Sequence, residues 1–377
     1  MDSSFPVINL NRNTRLLVVK FGGIGDYVLT TPALRALRQA YPQARIDLVA
    51  QSTLAKQVLE RLNLLDDIIV LPAHLVLQPD QDTPPHTQIS IDLVRRLRAG
   101  RYDAVLILEH LFPAARIQLL HMLVRITGAT WRIGLDNGHG DFLNVRVPDA
   151  GFGALHQAEY CIGVVEAAGA LVRERGLFFP VPAEYHDQAR EFMCSLSARR
   201  PIIAMHPGCD PRVIARRWMP ERFAQVADAL YKQFGGQLLL LGGPEEADLR
   251  SQVAQMMRSA MSCSSLSGRE HILLTAAIIA QCDLLVGNDS GLMHLATAVN
   301  TPTVGIFGPT NHRAWHPYTP DDPTRSRIVR QELPCMPCYL RGHDVGSREG
   351  CATRDCLTTL SAASVIDAAA DMLRGSI

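Results

Sequence analysis

The chain has 377 residues, more than a single hydrophobic core usually supports, so two domains are expected. Its 37 lysines and arginines equal its 37 aspartates and glutamates, which argues against wholesale binding of nucleic acid. No stretch approaches the about 18 unbroken apolar residues of a membrane span, and the first fifteen residues lack the pattern of a secretory signal. We therefore predict a globular cytoplasmic protein.

The first half of the chain alternates predicted strands and helices. RLLVVKF (15–21) predicts a buried strand, and TTPALRALRQAYP (30–42) a helix capped by Thr31 with Pro32 at its first position. Further strands are predicted at RIDLVA, DDIIVLP and YDAVLILE, with helices around 53–63 and 90–100 between them.

A polar, proline-rich segment at 74–89 predicts a loop. Asp80 and Asp82 within it form a D-x-D pattern, typical of metal–nucleotide sites. We attribute that pattern to chance because no predicted strand or helix follows it directly.

The second half repeats the alternation from RPIIAMHPG (200–208) to TPTVGIFGP, after an Ala-rich helix at 154–170 and a linker, RERGLFFPVPAEYHD. Repeated strand–helix units predict parallel sheets with helices on both faces. We predict an amino-terminal domain over 1–180, a carboxyl-terminal domain over 181–360 with a Cys-rich tail at 335–356, and a terminal helix over 361–377 packing across the domains.

A glycine-rich turn, FGGIGD, follows the first predicted strand. Gly22, Gly23 and Gly25 do not form the G-x-G-x-x-G of a dinucleotide site, no acidic residue ends the next strand, and no G-K-[ST] marks a P-loop. The glycines indicate a sharp turn that something approaches closely. Asp26 then lies just beyond the carboxyl end of the strand, either as a turn aspartate bound to nearby amides or as a functional carboxylate.

The segment GNDSGLMHLA (287–296) joins a predicted strand to a predicted helix. Amides at Ser290 and Gly291 can face an anion at the amino terminus of that helix, and His294 lies about one turn further on. The alternative is Asp289 as a plain helix cap with His294 in a packing position.

The segment HPGCDPRVIARRWMPERF (206–223) also follows a strand. His206 ends the strand, Gly208 opens a loop, and Arg216 and Arg217 precede a helix. Arginines beside a glycine turn suit a diphosphate, although on their own they would more often be a solvated pair.

Together these segments resemble the heptosyltransferase-type glycosyltransferases, glycosyltransferase family 9. The resemblance rests on VKFGGIGDYVLTTPALRALRQAYP, on HPG…ARRWMPERFAQVADAL, and on NDSGLMHLATAVNTPTVGIFGPT, which carries the D-[ST]-G-x-x-H-x-A-x-A signature. ALHQAEYCIGVVEAAGA is similar to the histidine-led helix that the family has between its domains. The resemblance covers nearly the whole chain.

The resemblance implies an α/β protein of the GT-B fold, with two Rossmann-like domains facing across a cleft. The carboxyl-terminal domain would hold a nucleotide-activated sugar, typically ADP-heptose, and the amino-terminal domain a glycan or glycolipid acceptor such as lipopolysaccharide core. The implied reaction is an inverting transfer that needs no divalent metal.

The resemblance also implies roles for individual residues. Asp26 matches the catalytic base. Many relatives have serines in the turn before this aspartate, where this chain has Gly-Gly-Ile, so the acceptor contacts expected at Gly22, Gly23 and Gly25 are in question. The donor site is expected to comprise His206, Gly208, Arg216 or Arg217 on the phosphates, Glu245 or Glu246 on the ribose, and the turn of Asp289, Ser290, Gly291 and His294.

Four of the nine cysteines crowd into CMPCYLRGHDVGSREGCATRDC. Cys335, Cys338, Cys351 and Cys356 give C-x2-C and C-x4-C, which predicts a structural tetrathiolate site for zinc or iron, with His343 as a spare ligand. The resemblance adds an iron-holding cysteine finger in a subset that modifies autotransporter proteins. The alternative is four reduced cysteines or a pair of opportunistic disulfides.

FPAARIQLLHMLVRITG (112–128) is an apolar helix with Arg116, His121 and Arg125 spaced along it. It would either rest on an anionic inner membrane as a peripheral contact or pack within the amino-terminal domain.

Other functions stay open from the sequence. They are a heptosyltransferase acting on a protein, a nucleotide-sugar epimerase or UDP-sugar transferase, and a non-catalytic nucleotide-sugar-binding module, which would need Ser290 and His294 but not Asp26. An oxidoreductase is disfavoured because the dinucleotide fingerprint is absent.

Overall fold

The computed structural model describes residues 8, 10–11, 13–75, 89–196, 199–259, 262–339 and 349–376. The chain divides into two compact units, Met1–Arg175 and Gly176–Ile377. Each unit is a parallel sheet covered by helices, so the predicted α/β class with two parallel sheets is confirmed.

The first unit has a six-stranded sheet of order β3-β2-β1-β4-β5-β6. Its strands are β1 (Arg15–Val19), β2 (Arg45–Ala50), β3 (Asp67–Val70), β4 (Ala104–Ile107), β5 (Trp131–Asp136) and β6 (Val145–Pro148). Its helices are α1 (Ile24–Ala40), α2 (Leu54–Leu59), α3 (Ile91–Ala99), α4 (Ala114–Thr127) and α5 (Gln157–Ala167).

The second unit has a six-stranded sheet of order β12-β11-β10-β7-β8-β9. Its strands are β7 (Ile202–His206), β8 (Gln237–Leu240), β9 (Ser262–Ser265), β10 (Leu284–Asn288), β11 (Thr303–Phe307) and β12 (Ser326–Arg330). Its helices are α6 (Ala183–Ser195), α7 (Pro220–Phe234), α8 (Ala247–Met256), α9 (Ile272–Ile279), α10 (Gly291–Ala298), α11 (His312–Trp315), α12 (Asp355–Thr358) and α13 (Ala362–Ser376), of which α13 packs on α7 and this sheet.

The central strands are continuous apolar runs because helices cover both of their faces. In β1, Leu16 pairs with Ile46 of β2 and with Ala104 of β4, and none of the three is exposed. Parallel sheets buried on both sides favour such runs over strict alternation. The carboxyl ends of β1 and β4 therefore lie side by side, and so do those of β7 and β10.

The predicted start of the first helix is wrong. Helix α1 begins at Ile24, directly after the glycine turn, and Pro32 lies in its interior. A proline there removes the amide that would bond the carbonyl four residues earlier, that of Val28. The Thr31 hydroxyl donates to the Val28 oxygen instead, at 2.7 Å, so the carbonyl keeps a partner and the helix continues.

Three further expectations have three different outcomes: one is confirmed, one is corrected, and one lies outside the described residues. The apolar face of α4 packs in the core of the first unit through Leu119, Leu120 and Leu123, as the packing interpretation expected. The predicted linker after residue 173 is partly helical, because α6 already begins at Ala183. The D-x-D pattern at 80–82 lies outside the described residues. Among those described, no helix has the length and apolar character to cross a membrane.

Two glycines with positive φ give a matched test of backbone crowding. Gly236 has φ +88°, and a Cβ there would lie 2.1 Å from the Pro201 carbonyl oxygen, whereas Gly128 has φ +66° and open space. Gly236→Ala is expected to lower the free energy of unfolding by at least about 3 kcal/mol, and Gly128→Ala by only about 1 kcal/mol. Denaturant unfolding of both variants checks this, and equal losses would contradict it.

Candidate functional site

Asp26 occupies the first turn of α1, at the carboxyl end of β1. Its Oδ2 accepts a hydrogen bond from the Gly23 amide at 2.8 Å. Gly22, at φ +142°, leaves the space for this carboxylate, because a Cβ on Gly22 would lie 2.3 Å from the carboxyl carbon. The turn-aspartate interpretation thus describes one of its bonds. The carboxylate remains half-buried, at a sheet edge where ligands of α/β proteins bind.

Three charged side chains lie behind this turn, and sequence reasoning did not predict that they meet. Lys20 and Glu109 are buried, and Arg116 is half-buried. Lys20 Nζ is 3.0 Å from Glu109 Oε1, and Arg116 Nη1 is 3.1 Å from Glu109 Oε2. Glu109 Oε1 also accepts from the Phe21 amide at 2.9 Å, so this carboxylate links the end of β4 to the backbone that enters the glycine turn.

The charges of this cluster stabilise each other. Burial opposes ionisation of Glu109, but the charges of Lys20 and Arg116 outweigh it and lower the pKa of the carboxyl. Burial likewise disfavours the charged Lys20, yet the Glu109 carboxylate raises the pKa of the amine above its usual value. Both groups are therefore charged near neutral pH, in a site from which water is excluded.

His110, next along the chain, faces a separate set of partners. Its Nδ1 is 2.7 Å from Asp149 Oδ2, and its Nε2 is 2.7 Å from the Gln157 side-chain nitrogen. The ring also packs edge-on against Tyr160. A carboxylate bound to one ring nitrogen fixes the tautomer of an imidazole. His110 and its partners thus form a second polar cluster beyond the end of β4.

In the second unit, His206 joins two of the predicted site segments. Its Nδ1 is 2.8 Å from Ser290 Oγ, and its Nε2 is 3.1 Å from Glu246 Oε2. Glu246 Oε2 also accepts from the Gly243 amide at 2.9 Å. Burial opposes ionisation of Glu246, while the bond from His206 acts in the other direction and lowers the pKa of the carboxyl.

Gly208 makes room for the same carboxylate. A Cβ on Gly208 would lie 1.7 Å from Glu246 Oε1, which is buried and accepts no hydrogen bond from the described residues. The structure thus distinguishes the two candidate glutamates, because Glu246 joins this cluster whereas Glu245 is exposed.

Arg216 and Arg217 both approach buried carboxylates. Arg216 Nη1 is 3.6 Å from Asp289 Oδ2, and Arg217 Nη2 is 4.0 Å from Glu246 Oε1. Burial disfavours the Arg216 charge, but Asp289 raises the pKa of the guanidinium. The pair is therefore not the solvated alternative, since their side chains are only 18% and 28% exposed.

Asn288 fixes the loop that carries these arginines, although no sequence pattern singled it out. Its Oδ1 accepts from the Trp218 amide at 3.1 Å, and its Nδ2 donates to the Pro207 carbonyl at 2.7 Å. The side chain is fully buried and bridges the end of β10 to both ends of the loop after β7. The sequence gives one signal for this role, a polar residue at the end of an apolar strand.

The turn at the start of α10 differs from the helix-cap alternative. Ser290, not Asp289, occupies the cap position before Gly291, and its hydroxyl bonds His206 rather than the helix amides. His294, one turn into α10, is fully buried, and its Nδ1 has no hydrogen-bond partner among the described residues. Burial, followed by the charges of His316 and Arg216, lowers the pKa of His294 to about 3, so the imidazole is neutral near pH 7.

The predicted tetrathiolate metal site is not supported. The part of the chain that the structure describes contains no group of three or more Cys, His, Asp or Glu side chains arranged to hold a metal ion. Cys356 is buried in the core of the second unit, whereas Cys335 and Cys351 are exposed. Burial, followed by the charges of the other three thiols, raises the pKa of Cys356 to about 11. His343 lies outside the described residues.

Comparisons with known proteins place this geometry in context. Residues 90–346 match the sequence pattern of glycosyltransferase family 9 (heptosyltransferase). Lipopolysaccharide heptosyltransferase 2 of Salmonella typhimurium is 28% identical over 330 residues, which cover 84% of this chain and 88% of that protein.

Two solved structures share the fold. A glycosyl transferase family 9 protein from Veillonella parvula is 25% identical with a TM-score of 0.72, covering 97% of this chain and 99% of its own. The ADP-heptose lps heptosyltransferase II of E. coli is 22% identical with a TM-score of 0.69, covering 96% and 99%.

The neutral, buried His294 predicts a loss of stability in acid. The unfolded chain binds a proton at its ordinary pKa of 6.5, but the folded chain does so only near pH 3, so stability is full above pH 6.5 and falls as the pH drops toward 3. At pH 5 the expected loss is about 2 kcal/mol. Denaturant unfolding at pH 7 and pH 5 measures it. His294→Gln should lose less between these pH values, and the exposed-site control His121→Gln should behave as wild type. An unchanged slope in His294→Gln would contradict the assignment.

Proposed function

The chain belongs to glycosyltransferase family 9, the heptosyltransferase family, and on that basis we propose that it transfers heptose from ADP-heptose to a sugar of lipopolysaccharide core. It is a glycosyltransferase built from two Rossmann-like units of the GT-B type. The donor and the acceptor of the proposal come from the relatives, which are named for lipopolysaccharide and for ADP-heptose.

The observation that carries the proposal is the cluster in the second unit where Arg216 and Arg217 meet Asp289 and Glu246. We propose that the two arginines and the amides at the start of α10 bind the diphosphate of the donor. Glu246 Oε1, which has no hydrogen-bond partner among the described residues, would accept a hydroxyl of the donor's ribose. The neutral His294 would contribute an uncharged contact in the same turn.

We assign the general base to Asp26. In the proposed step, its carboxylate takes the proton of the acceptor hydroxyl as the oxygen bonds to the sugar C1. The bond from C1 to the diphosphate breaks on the opposite face, so the anomeric configuration is inverted. Negative charge grows on the leaving phosphate, and Arg216 and Arg217 supply the positive charge that a divalent cation would otherwise provide.

The donor assignment is tested by measuring product formation with ADP-heptose, a UDP-hexose and a GDP-hexose in turn. Each reaction contains a lipopolysaccharide-core acceptor, and mass spectrometry identifies the product. As the proposed donor, ADP-heptose is expected to react at least about tenfold faster than either alternative, because a transferase discriminates between donors by how strongly it binds each transition state. A faster reaction with a UDP-sugar would reject the proposed donor.

Loss of the Asp26 carboxylate is expected to stop the chemistry without loss of donor binding. Asp26→Asn keeps the shape of the turn but removes the base, so the transfer rate should fall at least about a hundredfold. Calorimetry with ADP should give an affinity within a few-fold of wild type. A variant with near-normal transfer would remove Asp26 from the base role.

The two glycines before Asp26 offer a matched pair. Gly22→Ala drives a Cβ into the Asp26 carboxylate at 2.3 Å, whereas Gly23→Ala places its Cβ 3.9 Å from the nearest carboxylate atom. We expect transfer to fall at least about a hundredfold in Gly22→Ala, because a misplaced base is as damaging as a missing one. Gly23→Ala should stay within a few-fold of wild type. Equal effects in the two variants would show that the position of the carboxylate does not limit the rate.

Metal independence has its own test. Because arginines provide the charge on the leaving phosphate, transfer should keep its rate in excess chelator. A rate that falls with chelator and returns with magnesium or manganese would overturn this part of the proposal.

A further inference from the structure

Thr310 lies in the loop between β11 and α11 of the second unit, outside the segments that supply the residues of the proposed donor site. The residue is only 3% exposed, and its hydroxyl has no hydrogen-bond partner among the described residues. A hydroxyl buried without a partner costs free energy, so its presence requires a physical reason. We propose that the Thr310 hydroxyl donates a hydrogen bond to the phosphate from which the donor sugar departs.

The local structure makes no use of this hydroxyl. The cap of α11 is the next residue, Asn311, whose Oδ1 accepts from the Arg313 amide at 3.0 Å. A threonine hydroxyl can also bond a nearby carbonyl, as that of Thr303 in β11 does with the Thr301 oxygen at 2.8 Å. The Thr310 hydroxyl makes neither kind of bond with the described residues, so backbone structure does not account for it.

The sheet of the second unit brings this loop beside the turn at the start of α10. Strands β10 and β11 are parallel neighbours, and Asn288 pairs with Ile306 at their carboxyl ends. The Asp289 amide then donates to the Ile306 oxygen at 3.1 Å. Thr310 follows four positions after Ile306, at the edge of the sheet where we place the diphosphate of the donor.

A backbone contact fixes the loop directly before Thr310. The Pro309 carbonyl accepts hydrogen bonds from two consecutive amides, of which that of Tyr339 lies at 3.0 Å. The buried Tyr339 also lies near Arg216. Burial opposes the charge of this guanidinium, Asp289 raises its pKa, and Tyr339 adds a smaller increase. The segment that holds Thr310 in place therefore reaches an arginine that we propose binds the diphosphate.

Other buried polar atoms without a hydrogen-bond partner among the described residues belong to the same proposed site. A polar ligand would satisfy several such atoms together, whereas each of them is costly to bury alone. Five of them lie in residues already assigned to the donor: Arg216 Nε, Arg217 Nε, Glu246 Oε1, Asp289 Oδ2 and His294 Nδ1.

A neutral hydroxyl donor suits the phosphate that carries the sugar. In the proposed transfer, the electrons of the bond from C1 pass to this phosphate, and its negative charge grows. A hydrogen bond to that oxygen is stronger in the transition state than with the intact donor, so it acts on the rate more than on donor binding. This inference deepens the proposed function and rests on it, because it requires a diphosphate at the start of α10.

The test compares Thr310→Val, which removes the hydroxyl and keeps the shape of the side chain, with Thr310→Ser, which keeps the hydroxyl. ADP ends in the phosphate from which the sugar departs, and AMP lacks that phosphate. By calorimetry, Thr310→Val should bind ADP about tenfold more weakly than wild type and AMP equally well. Thr310→Ser should stay within a few-fold of wild type with both nucleotides.

Single-turnover transfer from ADP-heptose to a lipopolysaccharide-core acceptor measures the chemical step without product release. The rate of Thr310→Val should fall by about tenfold to a hundredfold, which corresponds to the loss of one hydrogen bond to a charged group. The donor concentration for half-saturation should stay within a few-fold of wild type, as expected for a contact that strengthens in the transition state.

Thr303→Val is the matched control, because it removes a buried hydroxyl of β11 that has a partner. Its melting temperature should fall, while its ADP affinity and transfer rate should equal those of wild type. Thr310→Val should show the reverse pattern, since removal of a buried hydroxyl without a partner does not lower stability. Thermal unfolding of the two variants measures this difference.

Failure of the proposed function would appear in the wild-type protein. If wild type binds ADP but does not transfer heptose, the comparison of ADP with AMP still decides the role of Thr310, whereas wild type that does not bind ADP would reject both proposals. Failure of the inference would appear in the variants alone. It is overturned if Thr310→Val binds ADP as wild type does, loses ADP and AMP affinity equally, or loses as much thermal stability as Thr303→Val, or if Thr310→Ser is as impaired as Thr310→Val.

Discussion

Each half of the proposed site depends on the same interaction. A carboxylate accepts a hydrogen bond from a backbone amide of its own turn, and a glycine without a Cβ leaves the space for it. Asp26 bonds the Gly23 amide where Gly22 has no Cβ. Glu246 bonds the Gly243 amide where Gly208 has none. In both turns the acidic residue lies three positions after the amide that it binds. Its carboxylate satisfies an amide that the helix leaves unpaired, and the positive end of the helix dipole stabilises its charge. The same bond fixes the carboxylate at the carboxyl edge of a parallel sheet, where ligands of α/β proteins bind.

An ion-pair network holds the first of these turns, that of Asp26, in place. Glu109 lies between Lys20 and Arg116 and bonds the backbone at Phe21, so the strand that leads into the Asp26 turn cannot shift without breaking an ion pair away from water. Removing one member of such a group leaves a buried charge uncompensated, at a cost of about 3–5 kcal/mol. The networks thus favour one geometry of the site more than they add net stability.

Sequence reasoning succeeded where a signal is local. Apolar runs and glycine turns predicted both parallel sheets, and the strand–helix junction at 287–296 predicted the turn in which Ser290 meets His206. It failed where the partner is distant or the rule has a local exception. Lys20 and Glu109 are 89 positions apart, and their contact exists only because β1 and β4 are neighbours. Pro32 reads as a helix start, yet the Thr31 hydroxyl replaces the missing donor. The metal site suggested by the cysteine spacing has no support among the described residues, and Cys356 packs with Leu357 and Leu360 in the core.

The pairing of Arg216 with Asp289 has a consequence for the proposed catalytic cycle. Without a ligand, the Asp289 carboxylate lies beside the Arg216 guanidinium. In the proposed cycle, binding of the donor diphosphate to Arg216 would therefore replace one anion with another. That exchange would weaken the net attraction to the donor and would speed the loss of the nucleotide after transfer, because Asp289 could pair with Arg216 again. A carboxylate that competes with the diphosphate for one arginine would favour rapid release of the nucleotide product over tight binding of it.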